Sequence, residues 1–375
     1  MRILHLIDSG GVYGAERVLL NLARCCQKLG DEVFVGTIVG PGDVGDPLGS
    51  AAVREGLSNV KFPMRDGFSI SGVRSILRFA RAEAIEVIHT HGYKANVMLA
   101  ATPPKGRTFS TVATMHGWTA VRRTELLWWY EVLDRLLARR LDRVVAVSQR
   151  IRDTLATVVP PQQLELIHNG IEIPPGVCAI AGGKSGRASL AEPLRILAAG
   201  RLSYEKGFDS LLYAVADLRS EGEMFEVRVA GSGPMLADLN ALVAKLGLSD
   251  CVQLLGYQES LCSQFQEADL FVLPSRSEGL PLVLLEAMVR RVPVVATPVG
   301  EVPDVLEHGR LGWLASTNEH HDLAGALRQA MSDIRNSEQV DSVLHDASQA
   351  VKHLYSVENM AQRYRQVYRE VARPR

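Results

Sequence analysis

Two glutamates, Glu278 and Glu286, stand in SRSEGLPLVLLEAM (275–288), a segment that is otherwise almost wholly apolar. LFVLPS before them is typical of a strand, and GLPLVLLEAMVRR is typical of a helix that begins at or just after Glu278. Eight positions make a little over two turns, which would put both carboxylates on one side, about 12 Å apart along the helix. The pair could hold one ligand at two points. Alternatively, Glu278 stabilises the helix N-terminus and Glu286 is a salt-bridged core residue.

The elements that must position these residues follow a clear alternation. Short β-branched runs alternate with longer amphipathic segments, which predicts parallel sheets with crossover helices, and 375 residues favour two domains. We expect an α/β protein of two Rossmann-like domains facing a central cleft, with ligands in the loops after strands. The expected strands lie in RILHLI, DEVFVGTIV, EVIHT, FSTVATM, DRVVAVS, LELIHN, LRILAAG, EVRVAG, CVQLLG, LFVLPS and VPVVATP.

The domain boundaries follow from composition. A Gly-, Pro-, Ser- and Ala-rich stretch after Asn169 predicts a linker and loop at 173–192. We therefore expect an N-terminal domain at 1–172 and a C-terminal domain at 193–353. Residues 354–375 should form a helix that packs back on the N-terminal domain. Its apolar residues recur at a spacing of three and four: Met360, Tyr364, Val367 and Val371.

Composition excludes several classes of protein. The net charge of −1 gives no case for nucleic acid, although residues 1–170 carry 21 Lys and Arg against 16 Asp and Glu. No apolar run of about 18 residues predicts a membrane span, and the N-terminus does not resemble a signal peptide. Five cysteines without a C-x-x-C pair favour reduced thiols and a cytoplasmic protein.

The glutamate pair resembles the Glu-x7-Glu motif of family 4 glycosyltransferases, with its E-G-x-P opening. Further motifs similar to that family's occur in the expected order over nearly the whole chain. They are SGGVYGAERVL (9–19), MHGW (115–118), AVS (146–148), NGI (169–171), AAGRLSYEKGFD (198–209), VAGSGP (229–234) and LLGY (254–257). The resemblance implies the GT-B fold and retaining transfer of a sugar from a UDP- or GDP-sugar. It also implies a glycan or lipid-linked acceptor in bacterial polysaccharide or glycolipid synthesis.

The resemblance assigns catalytic roles to four residues. Arg201 and Lys206 would hold the diphosphate, which suits a guanidinium fork and a compact ammonium. His116 would hydrogen-bond the donor sugar and steady developing charge, and His91 is a less secure strand-end candidate. Glu278 would bind sugar hydroxyls.

The expected donor-binding residues are glycines and polar groups in loops after strands. Glycine lets backbone amides approach a phosphate closely, although each glycine could equally be a turn residue. Glu286 would accept hydrogen bonds from the ribose diol. The full set is Gly10, Gly11, Gly231, Gly279, Leu280 and Glu286.

No Asp-x-Asp pair occurs, so the resemblance implies a reaction without a metal or other cofactor. An epimerase or phosphorylase of the same architecture, and a non-catalytic nucleotide-sugar-binding module, remain alternatives. A nucleotide-dependent oxidoreductase is disfavoured because SGGVYGAE lacks the G-x-G-x-x-G spacing. The Trp- and Arg-rich helical pattern at 120–143 fits either peripheral contact with the inner membrane face or a half-buried domain helix.

Overall fold

The computed structural model describes residues 1–8, 11, 14–40, 45–64, 67–103, 107–116, 126–173, 193–336 and 339–372. The chain divides into two compact units. The first comprises Met1–Glu172 together with Ser356–Arg375, and the second comprises Ile173–Tyr355. The chain therefore leaves the first unit, builds the second and returns to the first.

The first unit contains a sheet to which the described residues contribute seven strands, in the order β3-β2-β1-β4-β5-β6-β7. Every neighbouring pair is parallel, which confirms the expected sheet type. The edge strand β3 is missing from the sequence prediction, because SNVKFP has one β-branched residue and ends in proline. The strands are β1 (Arg2–Asp8), β2 (Glu32–Val39), β3 (Ser58–Pro63), β4 (Val87–His91), β5 (Ser110–Met115), β6 (Arg143–Ala146) and β7 (Leu164–Leu166).

Helices alternate with these strands, as the pattern predicts. Asp46, Ser69 and Ser148 act as N-caps, each accepting a hydrogen bond from the backbone amide three residues later. Such caps satisfy amides that have no partner inside the helix. The helices are α1 (Gly14–Lys28), α2 (Pro47–Arg54), α3 (Ile70–Ala82), α4 (Tyr93–Ala100), α5 (Leu126–Leu137) and α6 (Gln149–Leu155).

The second unit has a parallel sheet of six described strands, in the order β10-β9-β8-β11-β12-β13. The last of these, β13, has only two residues, which is too short for a periodic signal and explains its absence from the prediction. The strands are β8 (Leu194–Ala199), β9 (Phe225–Ala230), β10 (Val252–Gly256), β11 (Leu270–Leu273), β12 (Val294–Ala296) and β13 (Trp313–Leu314).

In the core of the second unit, the buried residues of β8, β9 and β11 meet those of three helices, which are α7, α8 and α12 of the set given below. This burial of apolar surface is the main stabilising contribution. The helices are α7 (Phe208–Ser220), α8 (Leu236–Lys245), α9 (Cys262–Glu267), α10 (Leu282–Val289), α11 (Val302–Val305), α12 (His320–Asn336) and α13 (Val340–Leu354).

The C-terminal segment forms the helix α14 (Val357–Val371), which belongs to the first unit. Tyr364 and Tyr368 are fully buried and join the same apolar cluster as residues of α1. Arg365 donates a 2.6 Å hydrogen bond to the buried carboxylate of Asp31, just before β2. The helix is therefore an integral part of the first unit's core.

Candidate active site

The two cations expected to bind phosphate follow β8. Arg201 is exposed, and its guanidinium makes no hydrogen bond to any residue that the structure describes. Lys206 is half-buried and ends the 3₁₀ turn Tyr204–Lys206. A hydrogen bond from Ser203 lowers the pKa of the Glu205 carboxyl, and the charges of Lys206 and Arg201 lower it further. The charges of both cations therefore act on the same carboxylate at this loop.

Lys206 and Glu278 are brought together as an ion pair. The ammonium of Lys206 donates to both carboxylate oxygens of Glu278, at 2.8 Å each, and the Ser275 hydroxyl donates to Oε1 at 2.6 Å. The Glu278 side chain is 6% exposed and that of Lys206 is 27% exposed. The nearly buried Glu278 carboxylate, itself bonded by Ser275, therefore holds the Lys206 ammonium in place.

A residue that sequence reasoning missed, Arg276, joins the loops after β8 and β11. Its guanidinium donates to both carboxylate oxygens of Asp209 and to the Ser210 hydroxyl, at 2.7–2.8 Å. It also donates to the carbonyl of Tyr204 and lies 4.4 Å from the centre of that ring. Its partners lie 66 to 72 residues earlier, so no local spacing could have marked it.

Burial alone would raise the pKa of the Asp209 carboxyl, but the hydrogen bonds and charge of Arg276 outweigh that effect and hold the pKa below its ordinary value. The paired carboxylate is therefore ionised at neutral pH. This bidentate ion pair fixes the start of α7 to the loop that carries Glu278.

Two glycines allow the loops of this unit to approach closely. Gly207 has φ +65°, and a Cβ there would overlap the carbonyl oxygen of Pro274. Gly231, predicted to bind the donor, has φ +153°, and a Cβ there would overlap the carbonyl oxygen of Gly200. The backbone packing alone accounts for glycine at 231, and a contact of Gly231 with the donor stays a prediction.

The segment after Glu278 presents backbone amides. The amides of Gly279 and Leu280 make no hydrogen bond within the described part of the chain. Helix α10 begins two residues later, at Leu282, with no side-chain cap. Unpaired amides at the start of a helix are well suited to an anion.

The expected spacing of the two glutamates along one helix is wrong. Pro281 is extended (φ −76°, ψ 107°) and α10 begins at Leu282, four residues after Glu278. Only Glu286 lies on the helix, where it is half-buried. The distance between the two carboxylates therefore cannot be derived from the rise of one helix. The helix starts late because the residue before a proline disfavours the α conformation.

In the first unit, His116 follows β5 and is half-buried. Its Nε2 lies 3.4 Å from Nδ1 of His91, at the end of β4. Burial lowers the pKa of His116 to about 4, so the ring is neutral at pH 7 and acts as a hydrogen-bonding group rather than a cation. Gly11 is buried, whereas Gly10 lies outside the described residues.

Family models match both halves of the chain. "Glycosyltransferase Family 4" matches residues 12–173, and "Glycosyl transferases group 1" matches residues 185–342. The chain belongs to glycosyltransferase family 4. This confirms the resemblance carried by the sequence motifs, and it makes the loops after β8 and β11 the candidate active site of a glycosyltransferase.

Curated relatives of this chain include two bacterial proteins. The amylovoran biosynthesis glycosyltransferase AmsK of Erwinia amylovora is 38% identical over 149 residues, which is 38% of this chain and 37% of AmsK. The GDP-mannose:cellobiosyl-diphosphopolyprenol alpha-mannosyltransferase of Xanthomonas campestris is 29% identical over 299 residues, 77% of this chain and 76% of that protein. The match to AmsK thus spans well under half of its length.

The fold of this glycosyltransferase is also that of solved structures. Anabaena Alr3699/HepE, crystallised in complex with UDP, superposes with a TM-score of 0.80 at 20% identity, covering 99% of this chain and 100% of that one. The GT-B fold, with its two parallel-sheet α/β domains, is thereby confirmed.

We predict that Arg276→Ala destabilises the second unit. Losing a partly buried, bidentate hydrogen-bonded charge should lower the free energy of unfolding by about 2 kcal/mol at pH 7. Chemical denaturation of the full chain measures this. Arg219→Ala is the matched control, because Arg219 makes a bidentate pair with Asp250 that is exposed to solvent and should matter much less.

The pH dependence tests the same pair. Because the pKa of Asp209 is lowered by folding, its stabilising contribution is present above its ordinary value of 3.8 and is lost as the pH falls through the lower folded value. The difference between wild type and Arg276→Ala should therefore shrink below about pH 4. A difference that is constant from pH 7 to pH 3 would contradict an ionised pair.

Proposed function

We propose that this protein transfers a hexosyl group from a UDP- or GDP-sugar to a glycan or lipid-linked acceptor, with retention at the anomeric carbon. The observation that carries the proposal is the combination of cations and unpaired amides after β8 and β11. The GDP-mannose donor named for the Xanthomonas relative and the UDP in the Anabaena structure support a nucleotide donor. The relatives' names also support a role in bacterial polysaccharide or glycolipid synthesis.

The diphosphate of the donor would bind to Arg201, Lys206 and the amides of Gly279 and Leu280. Arg201 has no hydrogen bond to give up among the described residues, so its fork is available to phosphate oxygens. Lys206 gives two of its three ammonium protons to Glu278 and has one left for a phosphate oxygen. These cations would stabilise the charge that develops on the leaving phosphate without a metal ion.

The remaining parts of the donor would bind to the other predicted residues. Glu286 would accept hydrogen bonds from the ribose hydroxyls, and Glu278 would contact a hydroxyl of the transferred sugar while it holds Lys206. A neutral His116 would hydrogen-bond another sugar hydroxyl. Gly10, Gly11 and Gly231 complete the proposed donor contacts through their backbone.

Retention requires the acceptor to attack on the face that the nucleotide leaves. In the proposed reaction, the acceptor oxygen forms a bond to the anomeric carbon as the bond from that carbon to the diphosphate oxygen breaks. The acceptor proton passes to the leaving phosphate, whose charge Arg201 and Lys206 stabilise. The protein then contributes positioning and electrostatic stabilisation.

The reaction is tested by incubating the purified chain with UDP- and GDP-hexoses and glycan or lipid-linked acceptors. We expect one donor to give a product whose anomeric configuration, measured by NMR, matches the donor's, and activity that survives chelation with EDTA. Arg201→Ala and Lys206→Ala should each lower kcat/KM about a hundredfold or more, as removal of a charge-stabilising group does. Lys245→Ala, an exposed lysine of the same unit, is the control.

Other outcomes favour other functions. Isomerised nucleotide sugar without transfer would indicate an epimerase, and sugar phosphate formed from a glycan would indicate a phosphorylase. Tight donor binding without any product would indicate a non-catalytic binding module. An inverted product, or activity abolished by EDTA, would contradict the proposed mechanism.

The two glutamates are predicted to behave differently toward free nucleoside diphosphate. Glu286→Gln should weaken its binding by about tenfold, because one charge-assisted contact to the ribose is lost. Glu278→Gln should leave that affinity unchanged or increase it, because the variant removes a negative charge beside Lys206, while kcat falls. Calorimetric titration of both variants measures the difference. Equal weakening by both substitutions would show that the roles assigned to the two carboxylates are wrong.

Helix α5 supports a peripheral membrane location on the cytoplasmic face. No helix that the structure describes has the length and apolar content needed to cross a bilayer. However, Trp129, Leu133 and Leu136 are 56%, 43% and 52% exposed, while Glu131 and Asp134 on the same helix are buried. The helix thus turns carboxylates inward and apolar side chains outward, with basic residues in the turn that follows. This arrangement suits a bilayer interface.

We predict that the full chain sediments with vesicles containing phosphatidylglycerol, and that Leu133→Asp/Leu136→Asp lowers the partition coefficient by at least about tenfold. Burying one leucine is already worth about a factor of ten. Tyr257→Glu, at a residue 69% exposed in the second unit, is the control for removing an exposed apolar side chain. Unchanged sedimentation of the double variant would instead indicate a helix that is simply part of the domain surface.

A further inference from the structure

A layer of buried histidines lies between the first sheet and α14, and the proposed function does not account for it. His5, His89 and His91 are at most 1% exposed. These histidines lie on the same face of β1 and β4 as apolar residues that belong to the cluster containing Tyr364 and Tyr368. They therefore face that helix. Three imidazoles are an unusual content for a Rossmann-like core, because buried polar groups destabilise unless they are hydrogen-bonded.

Hydrogen bonds link two of these histidines, His5 and His91, to His116. Nδ1 of His5 lies 3.1 Å from Nε2 of His91, and Nδ1 of His91 lies 3.4 Å from Nε2 of His116. We call His5, His91 and His116 the histidine chain. It uses both ring nitrogens of His91 and leaves Nδ1 of His116 without a partner among the described residues.

The rings of the histidine chain are uncharged. Burial lowers the pKa of His5 to about 3 and that of His116 to about 4, and it holds the pKa of His91 well below its ordinary value. A neutral imidazole carries one proton, so it donates through one nitrogen and accepts through the other. His91 therefore cannot donate to both neighbours. If His5 donates to His91, then His91 must donate to His116.

His5 determines the direction of the chain. Its Nε2 is buried and has no hydrogen-bond partner within the described part of the protein. If that nitrogen carried the proton, the chain would end in a buried N–H without an acceptor, which is rare in proteins. The favoured arrangement therefore places the proton of His5 on Nδ1, where it is donated to His91.

We propose that His91 is a positioning residue that holds His116 as the Nδ1–H tautomer, so that His116 presents a hydrogen-bond donor to a hydroxyl oxygen of the transferred sugar. This inference rests on the proposed function for the identity of the ligand. The tautomer itself follows from the histidine chain alone. A donating imidazole would orient the sugar through one of its hydroxyl oxygens.

Residues of α14 and β5 engage His89, the histidine of the layer that does not belong to the chain. His89, whose ring centre lies 4.0 Å from that of His91, is hydrogen-bonded through Nδ1 to the Tyr368 hydroxyl at 2.6 Å and through Nε2 to the Thr114 hydroxyl at 2.7 Å. The Tyr364 hydroxyl lies 2.8 Å from the same threonine oxygen. Because both nitrogens of His89 are engaged, it packs against His91 without entering the chain.

The same side chains could in principle hold a metal ion, since His5, His89 and His91 each offer a ligand atom within 4.8 Å of the others. The hydrogen-bonded arrangement is favoured because both nitrogens of His89 and of His91 already have partners. In addition, no carboxylate is present in this three-histidine group to offset the charge of a buried divalent cation. A bound metal is thus an outcome of the test that would overturn the proposal.

The test is long-range ¹H–¹⁵N correlation NMR of the full chain labelled with ¹⁵N-histidine, with the His116 signal assigned by its loss in His116→Gln. We expect the wild type to show protonated Nδ1 and bare Nε2 at pH 7. In His91→Phe, which keeps an aromatic ring but removes both hydrogen bonds, His116 should lose this single tautomer. The kcat of the His91→Phe variant should fall about tenfold, with donor binding little changed. The His91→Gln variant, whose side chain can donate and accept, should be faster than His91→Phe.

Tyr368→Phe is the matched control, because it removes the hydroxyl that is hydrogen-bonded to His89 and keeps the ring, whose centre lies 6.5 Å from that of the His5 ring. It should lower thermal stability but leave the His116 tautomer and kcat unchanged. The proposal is overturned if wild-type His116 is protonated on Nε2, if Tyr368→Phe has the same effects as His91→Phe, or if the purified protein contains a stoichiometric metal that His5→Phe removes. A wild type that transfers no sugar would refute the proposed function, while the NMR result would still decide the tautomer.

Discussion

The candidate active site depends on the close backbone approach of three loops in the second unit, those after β8, β9 and β11. Gly207 passes the carbonyl of Pro274 and Gly231 passes that of Gly200, at separations that leave no room for a Cβ. This approach lets Arg276 reach Asp209 and lets Lys206 reach Glu278. The positions of the proposed phosphate-binding groups are therefore fixed before any ligand arrives, which reduces the entropy lost on binding.

In the first unit, polar imidazole rings are buried on one face of the sheet. Its histidine layer is covered by α14, a helix that the chain forms only after completing the second unit. Tyr364 and Tyr368 satisfy the layer through Thr114 and His89. The hydrogen bonding of this layer thus depends on residues about 250 positions further along the chain, and only the folded protein brings them together.

The sequence predicted the fold well where a periodic pattern exists. The strands at Arg2–Asp8 and Leu270–Leu273 are runs of apolar residues bounded by loop residues, and α14 has a clear helical period. Two short elements, β3 and β13, have no such pattern and were missed. The local error at Glu278 came from extending a helical period through Pro281, where the backbone is extended.

The candidate site was predictable only as far as its motifs reach. Motif resemblance selected Arg201, Lys206 and Glu278, but no spacing rule indicates that the last two form an ion pair, because 72 residues separate them. Arg276 and the histidine chain were beyond prediction for the same reason. Contacts of this kind depend on strand order and on the approach of loops, and a single sequence contains neither explicitly.

In the Lys206–Glu278 pair, a carboxylate lies beside a lysine that is proposed to bind phosphate, and this arrangement has a physical reason. A bare ammonium would stabilise the bound donor as well as the transition state, and such uniform binding does not speed the chemical step. Glu278 offsets part of that charge in the resting site and costs little, because Ser275 also satisfies its carboxylate. When negative charge grows on the leaving phosphate, Lys206 can shift its hydrogen bonding toward it. In the proposed reaction, the pair thus favours the transition state over the bound donor.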